Sequence, residues 1–310
     1  MTAIDVRSIG KTFTKKLTKK VCALNDVSFS VAEGSAFGFI GPNGAGKSTT
    51  IKILMGLLRP DSGNTFFYGQ NSFEPAARKR VGYLAENPAY YDYLTPRELL
   101  EFVACHYDTP AAARADRVDE VLEQVGLTAA ADRPIRSLSK GMVQRIGLGQ
   151  TLVHDPDLYI LDEPMSGLDP LGRVLVADII QQLKRRGKTV FFSTHIINDV
   201  ERICDDVLLL VGGSVRYHGS VKTVVDQSYN TYEVVVRNDA AAAAMEPGLV
   251  LSEAREGETV RLSVPKQNLE AVIAKVSHHG ELLSVEPERR TLEQIFVELI
   301  KSSGGSKGGE

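Results

Sequence analysis

Gly41-Pro42-Asn43-Gly44-Ala45-Gly46-Lys47-Ser48 leaves fewer folds open than any other segment of this chain. It fits G-x-x-x-x-G-K-[ST], follows the apolar run Ala36 to Ile40 and precedes a helical pattern from Thr49 to Leu58. A strand, a glycine-rich loop and a helix, in that order, is the context this motif requires. Glycines let the backbone curl until its N–H groups converge on phosphate oxygens, and the helix N-terminus adds a favourable dipole. The stretch Gly41 to Thr49 is therefore read as a nucleotide phosphate site. Lys47 is expected to reach the β- and γ-phosphates, and the Ser48 hydroxyl to ligate Mg²⁺.

Around that loop, residues 2–220 alternate short apolar runs with helical patterns, which indicates α/β construction. Val27 to Val31 alternates, whereas Leu158 to Leu161 and Thr189 to Ser193 read as buried strands. Asp206 to Val211 and Ser214 to Tyr217 flank Gly212-Gly213 and read as a hairpin. Between about 88 and 150 helices take over: Thr95, Pro96 and Glu98 form a capping-box start, and Val118, Val121, Leu122 and Val125 mark one helical face. The strand at 158–161 ends in Asp162-Glu163. Asp162 suits Mg²⁺ held through water, and Glu163 suits a general base for an attacking water. Paired acids at a strand end can be mere caps; the phosphate loop favours the catalytic reading.

Three further motifs narrow the choice. Leu138-Ser139-Lys140-Gly141-Met142-Val143-Gln144-Arg145 precedes the acid pair, Ser166-Gly167-Leu168-Asp169 follows it, and His195 follows the strand ending at Ser193. In this order, over about residues 3–220, the set resembles the ATP-binding-cassette (ABC) family. The resemblance implies a P-loop NTPase cassette of α/β class with an antiparallel β subdomain and a helical insert. It also implies ATP and Mg²⁺ as cofactors. Ser139 and the backbone of Gly141 would start a helix aimed at the γ-phosphate held by a second subunit. The chain would then act as a self-dimer or with a paired cassette. Asp169 would lie in the loop crossing between subunits, and His195 would be the switch histidine touching the γ-phosphate. Phe13 matches the aromatic that stacks on adenine, although Thr14 to Lys20 is longer than the family's usual loop.

Three departures bear on the branch. Lys140 and Met142 stand where the signature usually has Gly and Gln, while Ser139 and Gly141 are retained. Glu86 falls at the family's glutamine; a carboxylate can approach Mg²⁺ or its water but cannot donate an amide hydrogen bond. These variants, and the ending Thr291 to Phe296, resemble the ABC-2-type bacterial exporter branch. That implies an ATPase coupled to transport at the cytoplasmic face of the cell membrane, working on integral membrane permease subunits encoded separately. A soluble mechanical or regulatory cassette without a permease is the alternative. Residues 48–138 are too few for the long coiled coils of DNA-repair relatives.

From about 225 to 302 the pattern changes to a small α+β accessory domain. Strands at Tyr232 to Val236, Leu249 to Leu251, Thr259 to Val264 and Leu282 to Val285, with helices at 240–244 and Leu269 to Val276, give a split-βαβ order. Thr291 and Gln294 can cap a last helix with Leu292, Ile295, Phe296 and Leu299 on one face. The domain is either a ligand sensor or a dimer-stabilising appendage; the lack of a polar constellation favours the appendage. Residues 303–310 read as a flexible tail. With 36 Lys+Arg against 39 Asp+Glu, net charge −3, a strongly basic nucleic-acid binder is excluded and no nucleic-acid partner is expected. Cys22, Cys105 and Cys204 match no metal box and read as free thiols. The N-terminus lacks a signal-peptide pattern, and no run approaches the ~20 apolar residues of a membrane span.

Overall fold

The apolar run Ala36 to Ile40 is buried at every position, as a strand with neighbours on both edges and layers on both faces must be. The computed structural model describes residues 1–15, 19–107, 110–227, 231–237, 249–256, 259–287 and 292–296. Met1–Ser220 and Val221–Glu310 form two compact units.

The first unit opens with β1 (Thr2–Lys15), β2 (Lys19–Ala32), β3 (Ala36–Ile40), α1 (Lys47–Leu54), β4 (Ser62–Phe67), β5 (Gln70–Asn71), α2 (Pro75–Arg78) and β6 (Val81–Leu84). The helices α3 (Pro96–Ala104), α4 (Ala111–Gln124) and α5 (Lys140–Leu152) follow. The chain then returns through β7 (Leu158–Asp162), α6 (Pro170–Arg185), β8 (Thr189–Thr194), α7 (Ile197–Ile203), β9 (Asp206–Val211) and β10 (Ser214–Ser220).

Two sheets result. One is antiparallel, in the order β2-β1-β4-β5; the other runs β10-β9-β3-β8-β7-β6. In the second sheet β9, β3, β8, β7 and β6 are parallel, and only β10 turns back, on β9. The alternation of β2 puts Val27, Phe29 and Val31 inside and leaves Ser28 and Ser30 exposed. Phe29 thereby meets the rings of Phe37, Phe39 and Phe191 from the parallel sheet, with centroids 5.8 to 6.0 Å away. This layer, with Ile51, Ile53 and Leu54 of α1, holds the phosphate loop's helix onto both sheets.

The helical segment begins as its sequence predicts. The Thr95 hydroxyl accepts from the Glu98 N–H at 3.2 Å, and the Glu98 carboxylate accepts from the Thr95 N–H at 2.8 Å. Val118, Val121, Leu122 and Val125 are all buried.

The second unit contains α8 (Val221–Gln227), β11 (Thr231–Arg237), β12 (Ser252–Glu256), β13 (Thr259–Pro265), α9 (Leu269–His279) and β14 (Glu281–Pro287). Its antiparallel sheet has the order β12-β13-β11-β14 over a core of Val234, Val236, Val260, Leu262, Val264, Val272 and Val276. One strand differs from the sequence reading. Leu249 to Leu251 is not a strand; Leu249 and Val250 pack on the core, and the strand starts at Ser252. Ser252 to Arg255 are exposed and owe their conformation to a ladder with β13, which no apolar pattern announces. Leu292 and Phe296 are buried, while 240–244, Thr291, Leu299 and 303–310 lie outside the described residues. Among the described residues no helix is long and apolar enough to cross a membrane.

Candidate functional site

The loop after β3 has the conformation that only its glycines permit. Gly44 and Gly46 have φ of 79° and 111°. A Cβ on Gly41 would lie 2.3 Å from the Leu210 carbonyl oxygen, and one on Gly46 would lie 2.7 Å from the Ala23 carbonyl oxygen. These two glycines are required by packing against β9 and β2, whereas Gly44 meets nothing within 4 Å and faces open space. The Gly213 N–H donates to the Ala45 carbonyl at 2.9 Å and pins the loop to the β9–β10 turn. The result is a cleft of about 290 Å³, lined by Ala23, Pro42 to Thr49, Glu86 and Glu163.

Lys47 is 7% exposed, and a buried ammonium needs partners. Its Nζ donates to the Gly41 carbonyl at 2.6 Å and lies 3.5 Å from the Glu163 carboxylate. Glu163 also receives the ring of His195, Nδ1 to Oε2 at 2.9 Å. An ionised carboxylate only accepts, so Nδ1 carries the proton of that bond and Nε2 faces elsewhere. Glu163 has a φ of 51°, a left-handed conformation that costs a non-glycine residue about 1–3 kcal/mol. Its N–H donates to Ser193 Oγ at 2.9 Å, and its carbonyl accepts from Gln144 Nε2 at 3.2 Å.

Ser193 Oγ in turn donates to Asp162 Oδ1 at 2.6 Å. Burial holds the Asp162 carboxyl above the usual carboxylate range, against the lowering effect of hydrogen bonds from Ser193 and Ser48. Glu86 and Glu163 add like charge and push it the same way as burial. A Ser48 hydroxyl, a desolvated Asp162 and a nearby Glu86 form a hard-oxygen donor set, which fits a divalent cation that completes its shell with water and phosphate. Among the described residues no group of three or more His, Cys, Asp or Glu side chains could hold a metal ion unaided.

The structure gathers Lys47, Ser48, Glu86, Asp162, Glu163 and His195 about one loop. Others lie apart from it. Ser139 caps α5, its Oγ accepting from the Met142 N–H at 3.3 Å, and it is exposed. Gly141 sits against Gly167 and Leu168. Asp169 caps α6, its Oδ1 accepting from the Gly172 N–H at 2.8 Å. None of the three lines the cleft. Phe13 stands half-exposed on β1 opposite Val21, with the Lys11 ammonium 5.8 Å from its ring, and it does not line the cleft either. β1 and β2 pair out to Lys15 opposite Lys19.

Sequence reasoning passed over Ser193 and assigned Gln144 no role. A hydroxyl closing the otherwise apolar run Val190 to Phe192, two residues before His195, was the available signal for the first.

Residues 24–166 match the family described as ABC transporter, and residues 219–300 match the family described as ATP-binding protein DrrA1-3-like, C-terminal domain. An uncharacterized ABC transporter ATP-binding protein of Nostoc sp. is 45% identical over 293 residues, 94% of this chain and 87% of that protein. The chain belongs to the ABC transporter ATP-binding family. Within that family, the Nod factor export ATP-binding protein I of Ralstonia nicotianae is 34% identical over 89% of this chain and 88% of its own length. Among solved structures, the ATP-binding subunit of an ABC transporter, 32% identical, superposes with a TM-score of 0.66 over 73% of this chain and 92% of that one. The antiparallel sheet, parallel sheet and α3–α5 segment are thus the parts of an ABC cassette, and the chain also carries a DrrA-like C-terminal domain.

Proposed function

We propose that this chain is the Mg²⁺-dependent, ATP-hydrolysing subunit of an export-type ABC transporter whose integral membrane permease is a different polypeptide. One juxtaposition carries the hydrolytic part: the Glu163 carboxylate sits between Lys47, at 3.5 Å, and His195, at 2.9 Å, on the wall of the phosphate loop. The loop N–H groups and Lys47 bind the β- and γ-phosphates. Ser48 and Asp162 hold Mg²⁺, with Glu86 at the rim of the cleft. Bound Mg²⁺ supplies charge neutralisation to the transferring phosphoryl group. Glu163 takes the proton of the attacking water on a carboxylate oxygen, and His195 holds that carboxylate through Nδ1. Phe13 stacks on adenine.

Ser139, Gly141 and Asp169 are remote from this chain's own loop, so they serve a second cassette. The working unit is a self-dimer or a pair of cassettes with two ATP between them. Similarity to a Nod factor export subunit over most of both chains supports the export reading. On this reading the chain works at the cytoplasmic face of the cell membrane. Affinity isolation of the chain from detergent-solubilised membranes is expected to bring down a multi-spanning permease. Recovery with no integral membrane partner would overturn the transporter reading.

Asp162 provides a separate check on the metal site. Its folded-state carboxyl is raised, so burial favours the protonated form. The stability this confers is complete below the unfolded pKa and is lost as pH rises through the folded one, leaving a penalty at neutral pH. Asp162→Asn removes that penalty and keeps an oxygen to accept from Ser193. The nucleotide-free variant is expected to melt a few degrees above the wild type at pH 7, yet to lose the Mg²⁺-dependent part of stabilisation by ATP. Thermal melts with ATP plus EDTA and with MgATP measure both; a variant still stabilised by Mg²⁺ would remove Asp162 from the metal site.

A further inference from the structure

Glu163 is held at both ends of its backbone by side chains from distant parts of the chain. Its N–H donates to Ser193 Oγ, 30 residues on, at 2.9 Å. Its carbonyl accepts from Gln144 Nε2, 19 residues back, at 3.2 Å, and the same amide reaches the Pro164 carbonyl at 3.4 Å. Both side chains are buried, Gln144 at 5% and Ser193 at 0% exposure. The residue between them has the left-handed φ of 51°. Such a conformation persists only where its surroundings over-determine it. Here no glycine relieves it and no regular ladder continues through it, since β7 ends at Asp162. Two side chains from different elements supply what the backbone cannot.

We propose that Ser193 and Gln144 are positioning residues that clamp the Glu163 backbone, through the peptides on either side of it, and so aim its carboxylate at the phosphate loop. The inference rests on Glu163 being the general base. Removal of either clamp lets the backbone relax toward the extended or right-handed region and swings the carboxylate away from Lys47 and His195. Gln144 has a second consequence. It belongs to α5, the helix capped by Ser139, so the clamp ties the start of that helix to the base through a rigid element. Ser193 also orients Asp162, whereas Gln144 makes no contact with that carboxylate, so the two substitutions separate aim of the base from grip on the metal.

The test compares Ser193→Ala and Gln144→Met with wild type, Glu163→Gln and the two double variants, in the full chain. Gln144→Met keeps the buried volume and removes only the amide. At saturating ATP and Mg²⁺, each single variant is expected to lose at least about tenfold in kcat, because a base displaced by about 1 Å forfeits up to 10²-fold. Affinity for a fluorescent ATP analogue should stay within about twofold of wild type, since the phosphate loop is unaltered. In the Glu163→Gln background neither substitution should lower the residual rate further, because residues acting as a unit are non-additive. Ser193→Ala should in addition need more Mg²⁺ for half-maximal rate, and Gln144→Met should not. Turnover within twofold of wild type in folded Ser193→Ala and Gln144→Met would overturn the clamp. So would a loss that multiplies with Glu163→Gln, or one accompanied by an equal loss of nucleotide affinity, since both mark general damage. Near-normal hydrolysis by Glu163→Gln alone would instead sink the base assignment.

Discussion

Glu163→Gln is expected to bind MgATP as tightly as wild type and to hydrolyse it on the order of 10²–10⁴-fold more slowly, the usual contribution of a positioned general base. The amide is isosteric with the carboxylate and can still take a hydrogen bond from His195, so the site keeps its shape. It cannot take a proton from water. Nor does it retain the charge that faces Lys47 at 3.5 Å. Loss of that charge frees the Lys47 ammonium for phosphate, so nucleotide affinity should hold or rise. With binding intact and turnover stalled, the ATP-bound assembly accumulates. Light scattering should show a dimer with MgATP and a monomer without nucleotide, beside a phosphate-release assay. A variant hydrolysing within a few-fold of wild type would take the base role from Glu163.

The parts of this chain that were legible in its sequence are those whose causes are local. The capping box at Thr95 and Glu98 spans three residues, and each half is satisfied by the other. The 27–31 alternation and the fully apolar strands announce their burial because side-chain period and burial are one geometric fact. The phosphate loop is legible because its glycines recur at fixed short spacing between a strand and a helix, with Gly44 and Gly46 at positive φ. What escaped depends on pairing across distance. The strand Ser252–Glu256 is a sheet edge with Ser252 to Arg255 exposed, and only its ladder to β13 makes it a strand. Ser193 and Gln144 look ordinary alone; their meaning lies in two hydrogen bonds to the backbone of one residue, Glu163, contributed by other elements. The left-handed backbone of Glu163 could not be read either, because nothing in the string Leu161-Asp162-Glu163-Pro164 requests a positive φ.

Gly141→Asp is expected to leave the isolated cassette folded and able to bind ATP, and to abolish ATP-dependent pairing and turnover. A Cβ at Gly141 would meet Leu168 Cδ2 at 3.4 Å and the Gly167 carbonyl oxygen at 3.5 Å, ordinary contact distances, so space does not forbid a side chain. An acid in the first turn of α5 also suits the helix dipole, and aspartate is no worse a helix former than the glycine it replaces. Stability therefore argues for tolerance. The charge argues the other way. A carboxylate about 4 Å from a phosphate oxygen at an interfacial dielectric near 20 is opposed by about 4 kcal/mol, or roughly 10³-fold in the pairing constant. Gly141→Ala fills the same space without charge and is expected to keep most of the activity, which separates repulsion from crowding. The pairing is best read in the Glu163→Gln background, by light scattering with MgATP, because hydrolysis no longer empties the dimer. If the doubly substituted Glu163→Gln, Gly141→Asp chain still pairs at the ATP concentration that pairs Glu163→Gln, the start of α5 does not face a phosphate, and Ser139 and Gly141 are ordinary helix-end residues.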